Sequence, residues 1–420
     1  MDERDACALV AIAQKDGRPT REVLAETIRG LECLAHRSGS IDGEGDGSGI
    51  LCDIPRDLWA DALAGARLDP AQVHDRRFAV AHVFVPAGDD ELVEAEVRRI
   101  FARHRIRILL ERHATTRSAA LGRRAKATEP RFWQLALQVL GPARRAGRRL
   151  YRVGTEVEQQ TPATIVSLSR STVVYKLRGH PQQLAAYFTD LADPRFRTSM
   201  AFGHNRYATN TTTSFERVQP FAAFAHNGEI NSISRLRDEV ASLDVALSRD
   251  GSDSQDVDAT LRGLVLGRGL DPIEALELLF PPIVSEVRRM DPQAQDAYTR
   301  ARAAFGPYAQ GPAAFLARIG DLCLVGVDAM GLRPLWHVET DEAHIFASER
   351  GFIPLERYST DPRPLAPGEH AGLERTARGW RYLDERTLRA RFVALRAKRG
   401  CAPADDRRRL ETGGPTVVPE

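Results

Sequence analysis

Apolar positions along this chain switch repeatedly between strand and helix rhythms. Ala8 to Ala13 is an unbroken apolar run that predicts a buried strand starting just after Cys7. "TREVLAETIRGLECLAHR" then sets Val23, Leu24, Ile28, Leu31 and Leu34 at helical spacing, and the stretch Gly39 to Gly49 breaks the pattern. A second helix fits "DDELVEAEVRRIFARHR", with Asp89 or Asp90 available as its cap, and leads into the strand-like "IRILLER". "ATIVSLSRSTVVYKL" reads as two β-rich runs joined through Ser169 to Ser171, a hairpin pattern. Beyond Ser252, "SQDVDATLRGLVLGRG" and "DPIEALELLF" form a helical pair, and "AAFLARIGDLCLVGVDAMGLRPLWHVETDEAHIFASE" reads as successive strands. The helix "DERTLRARFVALRAKR" precedes a stretch rich in Pro, Gly and charge, which reads as a loose tail.

No internal repeat is visible, and no run of about eighteen apolar residues suggests a membrane span. A length of 420 residues allows one large domain with insertions, or two. The 59 basic and 57 acidic side chains balance to a net +2, which by itself argues for neither nucleic acid nor an acidic partner. Arg144, Arg145, Arg148 and Arg149 read as a solvated face. A cytoplasmic protein is expected.

Cys7, Cys33, Cys52, Cys323 and Cys401 are odd in number and scattered, with no C-x-x-C pair to hold zinc or an iron–sulfur cluster, so reduced thiols are expected. The leader MDERDA is too short and too charged for a signal peptide. Cys7, between that leader and the apolar run, fits either a packed strand cysteine or a nucleophile.

Three polar clusters interrupt apolar segments: "GHNRYATNT" at 203–211, "AHNGEINSI" at 225–233 and "GSDS" at 251–254. Each has an ordinary reading alone. Asn227-Gly228 suits a type I′ turn, Arg206 a surface ion pair, and Asp253 a helix cap. Together with Cys7 they supply what amide hydrolysis requires: a nucleophile, an oxyanion site, and anchors for a carboxylate and an ammonium.

The order of these clusters, with "LAHRSGSIDGEGDGSGIL", "ATEPRFWQLAL", "TIVSLSRSTVVYK", "FTDLADPRF", "QPFAAFAHNGEINSI", "SDSQDVD", "GPAAF" and "DAMGLRPLW", resembles the class II glutamine amidotransferase domain of glutamate synthase, an N-terminal-nucleophile hydrolase. The resemblance implies an α+β fold, a four-layer αββα sandwich, with residues 1–6 as propeptide, 7–398 as the amidotransferase domain and 399–420 as a flexible tail. It implies a glutaminase of nitrogen assimilation in which Cys7, once its α-amine is freed, attacks glutamine. In the same reading Asn227 and Gly228 hold the oxyanion, Arg206 takes the α-carboxylate, Asp253 the α-ammonium, Thr209 adds a polar contact, and Arg37 braces the nucleophile. The family usually has glycine where this chain has Ala8 and Ser38.

The resemblance places no cofactor and no metal in this chain. FMN and an iron–sulfur cluster are expected in a separate flavin-dependent synthase subunit that takes the ammonia; neither nucleic acid nor membrane is an expected partner. Two other readings use the same scaffold. One changes the acyl substrate, against which Arg206 and Asp253 speak because they suit a free amino acid's two charges. The other is a degenerate glutamine-sensing or assembly subunit, motivated by Ala8 and Ser38.

Overall fold

The computed structural model describes residues 7–88, 90–206, 213–243, 245–248, 250–304 and 309–399. The leader 1–6, Asp89, Thr209, Cys401 and the tail from residue 400 lie outside the described residues. Among the described residues no helix is long and apolar enough to cross a membrane.

Two antiparallel sheets carry the fold, which is α+β as expected. The first has seven strands in the order Arg363–Pro364, Trp336–Glu339, Ala343–Ala347, Leu9–Gln14, Met200–His204, Ser48–Asp53 and Thr172–Leu177. The second has five: Phe224–Gly228, Ala313–Ile319, Leu322–Val327, His370–Thr376 and Gly379–Leu383. Leu9–Gln14 sits mid-sheet, pairing Leu9 with His204 on one side and Val10 with Ala347 on the other. A strand covered on both faces needs no polar alternation, and this one has none.

Period-two alternation in the five-stranded sheet shows which side each residue serves. Ala225, Leu316 and Val325 join the core shared with Leu9–Gln14, whereas their neighbours Phe224, Phe315 and Leu324 join a second core. That second core contains Leu261, Leu276, Leu388 and Phe392, from helices Asp253–Arg262, Pro272–Leu279 and Glu385–Arg399. On the opposite flank, helix Arg21–Cys33 lies on the seven-stranded sheet so closely that a Cβ on Gly30 would come 3.0 Å from Val10, and one on Gly203 2.6 Å from Leu31. The layers are thus helix, sheet, sheet, helix.

Asp53 and Arg318 join the two sheets by a buried ion pair. Burial alone would push the Asp53 carboxyl up, but Arg318, the Ser199 hydroxyl and Arg375 outweigh it and hold it at about 2.

A third sheet was not legible from the pattern. Ile106–Arg112, Arg131–Val139, Phe78–Val85 and Thr164–Ser169 form four antiparallel strands with helices Asp90–Arg103 and Ala146–Gln160 packed on one face. This corrects the hairpin expected over "ATIVSLSRSTVVYKL": Thr164–Ser169 pairs with Phe78–Val85, while Thr172–Leu177 pairs with Ser48–Asp53 in the seven-stranded sheet. The turn through Ser169 to Ser171 is present, but the runs part into different sheets, stitched by Ser167 Oγ accepting from Val174 N at 3.1 Å.

Candidate active site

Cys7 lies two residues before the central strand and is buried. The backbone after it is clamped from both neighbours: Ala8 O accepts from Asn205 N (3.1 Å), Leu9 O accepts from Ser348 N (3.0 Å), and Leu9 N donates to Ser348 Oγ (2.9 Å). The Cys7 carbonyl accepts from Arg37 Nε at 3.0 Å and from Asn227 Nδ2 at 2.9 Å. Arg37 and Asn227 therefore meet at one backbone atom of Cys7.

Arg37 comes from the 3-10 turn Ala35–Arg37 that follows the first helix, and its other arm is held by Glu349 at 2.5 Å. His36 reaches the same carboxylate at 3.1 Å. Ser348 and Glu349, consecutive at the end of Ala343–Ala347, thus hold the surroundings of Cys7, because Ser348 Oγ also accepts from Asn227 Nδ2 at 2.8 Å. Asn227 here spends its amide protons on Cys7 O and Ser348 Oγ.

Asn227-Gly228 is not a turn. Both residues belong to the edge strand of the five-stranded sheet, paired with Ala314 and Ala313. Glu229 N donates to Pro312 O and Arg318 N to Ala223 O, so odd-numbered residues bond to the neighbouring strand. Even-numbered ones face the open edge, where the Gln219 side chain takes the His226 N–H and C=O at 2.8 and 3.1 Å. The Gly228 N–H is next in that even series. Its φ of +113° and the 1.7 Å that would separate a Cβ from Pro312 O admit only glycine.

Arg206 follows strand Met200–His204, its charge opposes the burial that raises the Cys7 thiol, and its Nε lies 3.6 Å from buried Asp46. Asp46 comes from the glycine-rich loop, where a Cβ on Gly39 would stand 1.8 Å from its Oδ2. Burial pushes the Asp46 carboxyl up, opposed mainly by Arg206. Burial also pushes the Cys7 thiol up, against the pull of Arg206, Arg333 and Arg37.

Asp253 opens helix Asp253–Arg262 behind the Ser252/Gln255 capping box, so the cap is Ser252. Its Oδ2 accepts from Ile230 N at 2.9 Å and lies 3.8 Å from His226 Nε2. Asp253 is thereby tied to the segment that follows Gly228. Burial lowers the His226 pKa, with Asp253 opposing, and Ser254 Oγ holds its Nδ1 at 3.0 Å.

Ala8 and Ser38 are not among the residues with positive φ, and Ser38 sits at φ −83°, so neither backbone position uses a glycine's freedom. Burial raises the Cys52 and Cys323 thiols, the latter to about 12, and Cys33 is exposed. A cavity of about 920 Å³ lies against Glu158, Lys176, Asp258 and Arg262, and none of Cys7, Arg206, Asn227 or Asp253 lines it.

Of the residues singled out in the sequence, Arg37 and Asn227 contact Cys7; Ser348, Glu349 and Asp46 were not among them. The first two had a signal: a polar pair closing the apolar run "AHIFA".

A family model described as glutamine amidotransferases class-II matches residues 7–374. The chain belongs to that family. It is 29% identical over 400 residues to ferredoxin-dependent glutamate synthase 2 of Synechocystis sp., covering 88% of this chain and 25% of that protein. With glutamate synthase [NADH] of Saccharomyces cerevisiae it shares 29% over 389 residues, 84% of this chain and 18% of that one. The glutamate synthase [NADPH] large chain of Azospirillum brasilense is 28% identical over 415 residues, at 88% and 26%. This class II amidotransferase thus spans about a quarter or less of the length of these curated relatives.

Proposed function

We propose that the chain hydrolyses L-glutamine to glutamate and ammonia through a Cys7 thioester. The carrying observation is that Arg37 and Asn227 converge on the Cys7 carbonyl, while the charges of Arg206, Arg333 and Arg37 oppose the burial that raises its thiol. Removal of residues 1–6 frees an α-amine, whose ordinary pKa of about 7.7–8.0 lets it take the thiol proton at neutral pH. Sulfur attacks the side-chain amide carbon, the C–N bond breaks, and the α-ammonium gives its proton to the departing ammonia. Water then cleaves the thioester to glutamate and restores the thiol.

The Gly228 N–H and the Asn227 amide would stabilise the oxyanion. Asn227 must first release Cys7 O or Ser348 Oγ, and burial disfavours the thiolate, so the arrangement described is a resting one. Arg206 would bind the substrate α-carboxylate with its planar fork, and Asp253 the α-ammonium. Thr209 would add a polar contact to the substrate.

Ammonia would pass to a separate flavin-dependent synthase subunit carrying FMN and an iron–sulfur cluster, and glutaminase activity would stay low until that subunit binds. The normal φ values at Ala8 and Ser38 remove the backbone argument for a degenerate sensor. The test is ammonia release from glutamine by the processed protein and its Cys7→Ala variant: loss in the variant supports the reading, and an unchanged rate overturns it.

A further inference from the structure

The strand pair Trp336–Glu339 and Ala343–Ala347, whose end carries Ser348 and Glu349, places three donor groups on one face. Glu339 is directly opposite His344, and His337 is two residues before Glu339, so all three side chains project to the same side. His337 Nε2 lies 3.6 Å and His344 Nδ1 3.5 Å from the same oxygen, Glu339 Oε1, and the three atoms fall within 4.8 Å of one another.

Both imidazoles are more than nine-tenths buried, and neither His337 Nε2 nor His344 Nδ1 has a hydrogen-bond partner. Two buried nitrogens aimed at one carboxylate oxygen, each beyond a good hydrogen bond, are left costly unless something sits between them. The spacing suits a cation. Ligands about 2.0–2.1 Å from a tetrahedral centre are ~3.3–3.4 Å apart, close to the two N···O edges here.

The geometry points to a divalent transition-metal site formed by His337 Nε2, His344 Nδ1 and Glu339 Oε1, taking zinc or a similar imidazole-binding ion with a fourth position open to water. Two neutral imidazoles and one carboxylate match that class of ion better than magnesium or calcium, which prefer all-oxygen shells. The surroundings keep the donors in place. His337 stacks on Tyr382 with ring centres 4.6 Å apart and planes 7° from parallel, and on Phe346 at 4.7 Å. Lys15 Nζ holds Glu339 Oε2 at 2.9 Å, which leaves Oε1 to the cation.

Glu94, Glu111 and His113 also cluster, but Arg98 already bonds both of those carboxylates at 2.7–2.8 Å. His344 precedes Ser348 by four residues on one strand, about 13 Å of extended chain, so a cation here would staple the hairpin that holds the nucleophile rather than join the chemistry.

The test uses the full chain, stripped with chelator and dialysed against zinc or cobalt(II). The expected result is one bound ion per chain by elemental analysis, a cobalt(II) spectrum without a sulfur-to-metal charge-transfer band, and retention of both in Cys7→Ser. Glu339→Gln, which keeps the side-chain shape, and His344→Ala should each weaken binding at least tenfold; if His344→Ala fails to fold, Glu339→Gln decides. Absence of stoichiometric binding, binding undiminished in Glu339→Gln, or binding lost in Cys7→Ser would overturn the assignment.

Discussion

Replacing Ser348 with alanine probes how Cys7 is held. Its hydroxyl accepts from Leu9 N at 2.9 Å and from Asn227 Nδ2 at 2.8 Å, and the side chain is fully buried. Ser348→Ala leaves two buried donors without their acceptor, and each such loss costs about 1–3 kcal/mol. A water occupying the vacated space would offset part of this, which sets the expected destabilisation at about 2–4 kcal/mol. Because Leu9 is two residues from Cys7, the same loss should loosen Cys7 and the Asn227 amide while leaving Arg206 and Asp253 in place. The kcat for glutamine should therefore fall by roughly 10–100-fold with KM changed little, a smaller effect than removing an oxyanion donor outright. Urea unfolding and steady-state ammonia release measure the two effects. A variant with parental stability and parental kcat would refute the clamp.

Arg206→Lys keeps the charge but loses the fork, so the glutamine KM should rise strongly, as should that of Asp253→Asn; unchanged KM in both would place the substrate elsewhere. Asn227→Ala should lower kcat by about 10²–10³ with less effect on KM, measured by the same assay. Asp53 has a folded pKa of about 2, below an unfolded value of about 3.9, so its contribution of about 2.5 kcal/mol is present above pH 4 and is lost as pH falls from about 4 to 2. Denaturant titrations of the parent across that range read this loss. Asp53→Ala, which leaves Arg318 buried and unpaired, should cost about 3–5 kcal/mol at neutral pH.

How much of this was legible in the sequence depends on whether the signal was local. The apolar run after Cys7 and the helical spacing of Val23 to Leu34 reflect burial within one element, and both elements form as the pattern implies. The hairpin over "ATIVSLSRSTVVYKL" failed because period two fixes which face a residue takes but not which strand it pairs with. Asn227-Gly228 has the composition of a tight turn, yet its glycine is required by the approach of Pro312, a contact from another strand. Asp46 was hidden in a glycine-rich loop, because its pairing with Arg206 joins residues 160 positions apart. Ser348 and Glu349 end an ordinary strand; only the antiparallel register beside Leu9–Gln14 brings them to Cys7.

In the proposed reaction Cys7, as the new N-terminus, becomes acylated by glutamine. Intact mass spectrometry of the purified protein, before and after an electrophilic glutamine analogue, tests it directly. The expected result is a mass lacking residues 1–6 and one covalent adduct that maps to Cys7 and vanishes in Cys7→Ala; a retained leader with no adduct, or an adduct on Cys33 instead, would overturn the Cys7 thioester.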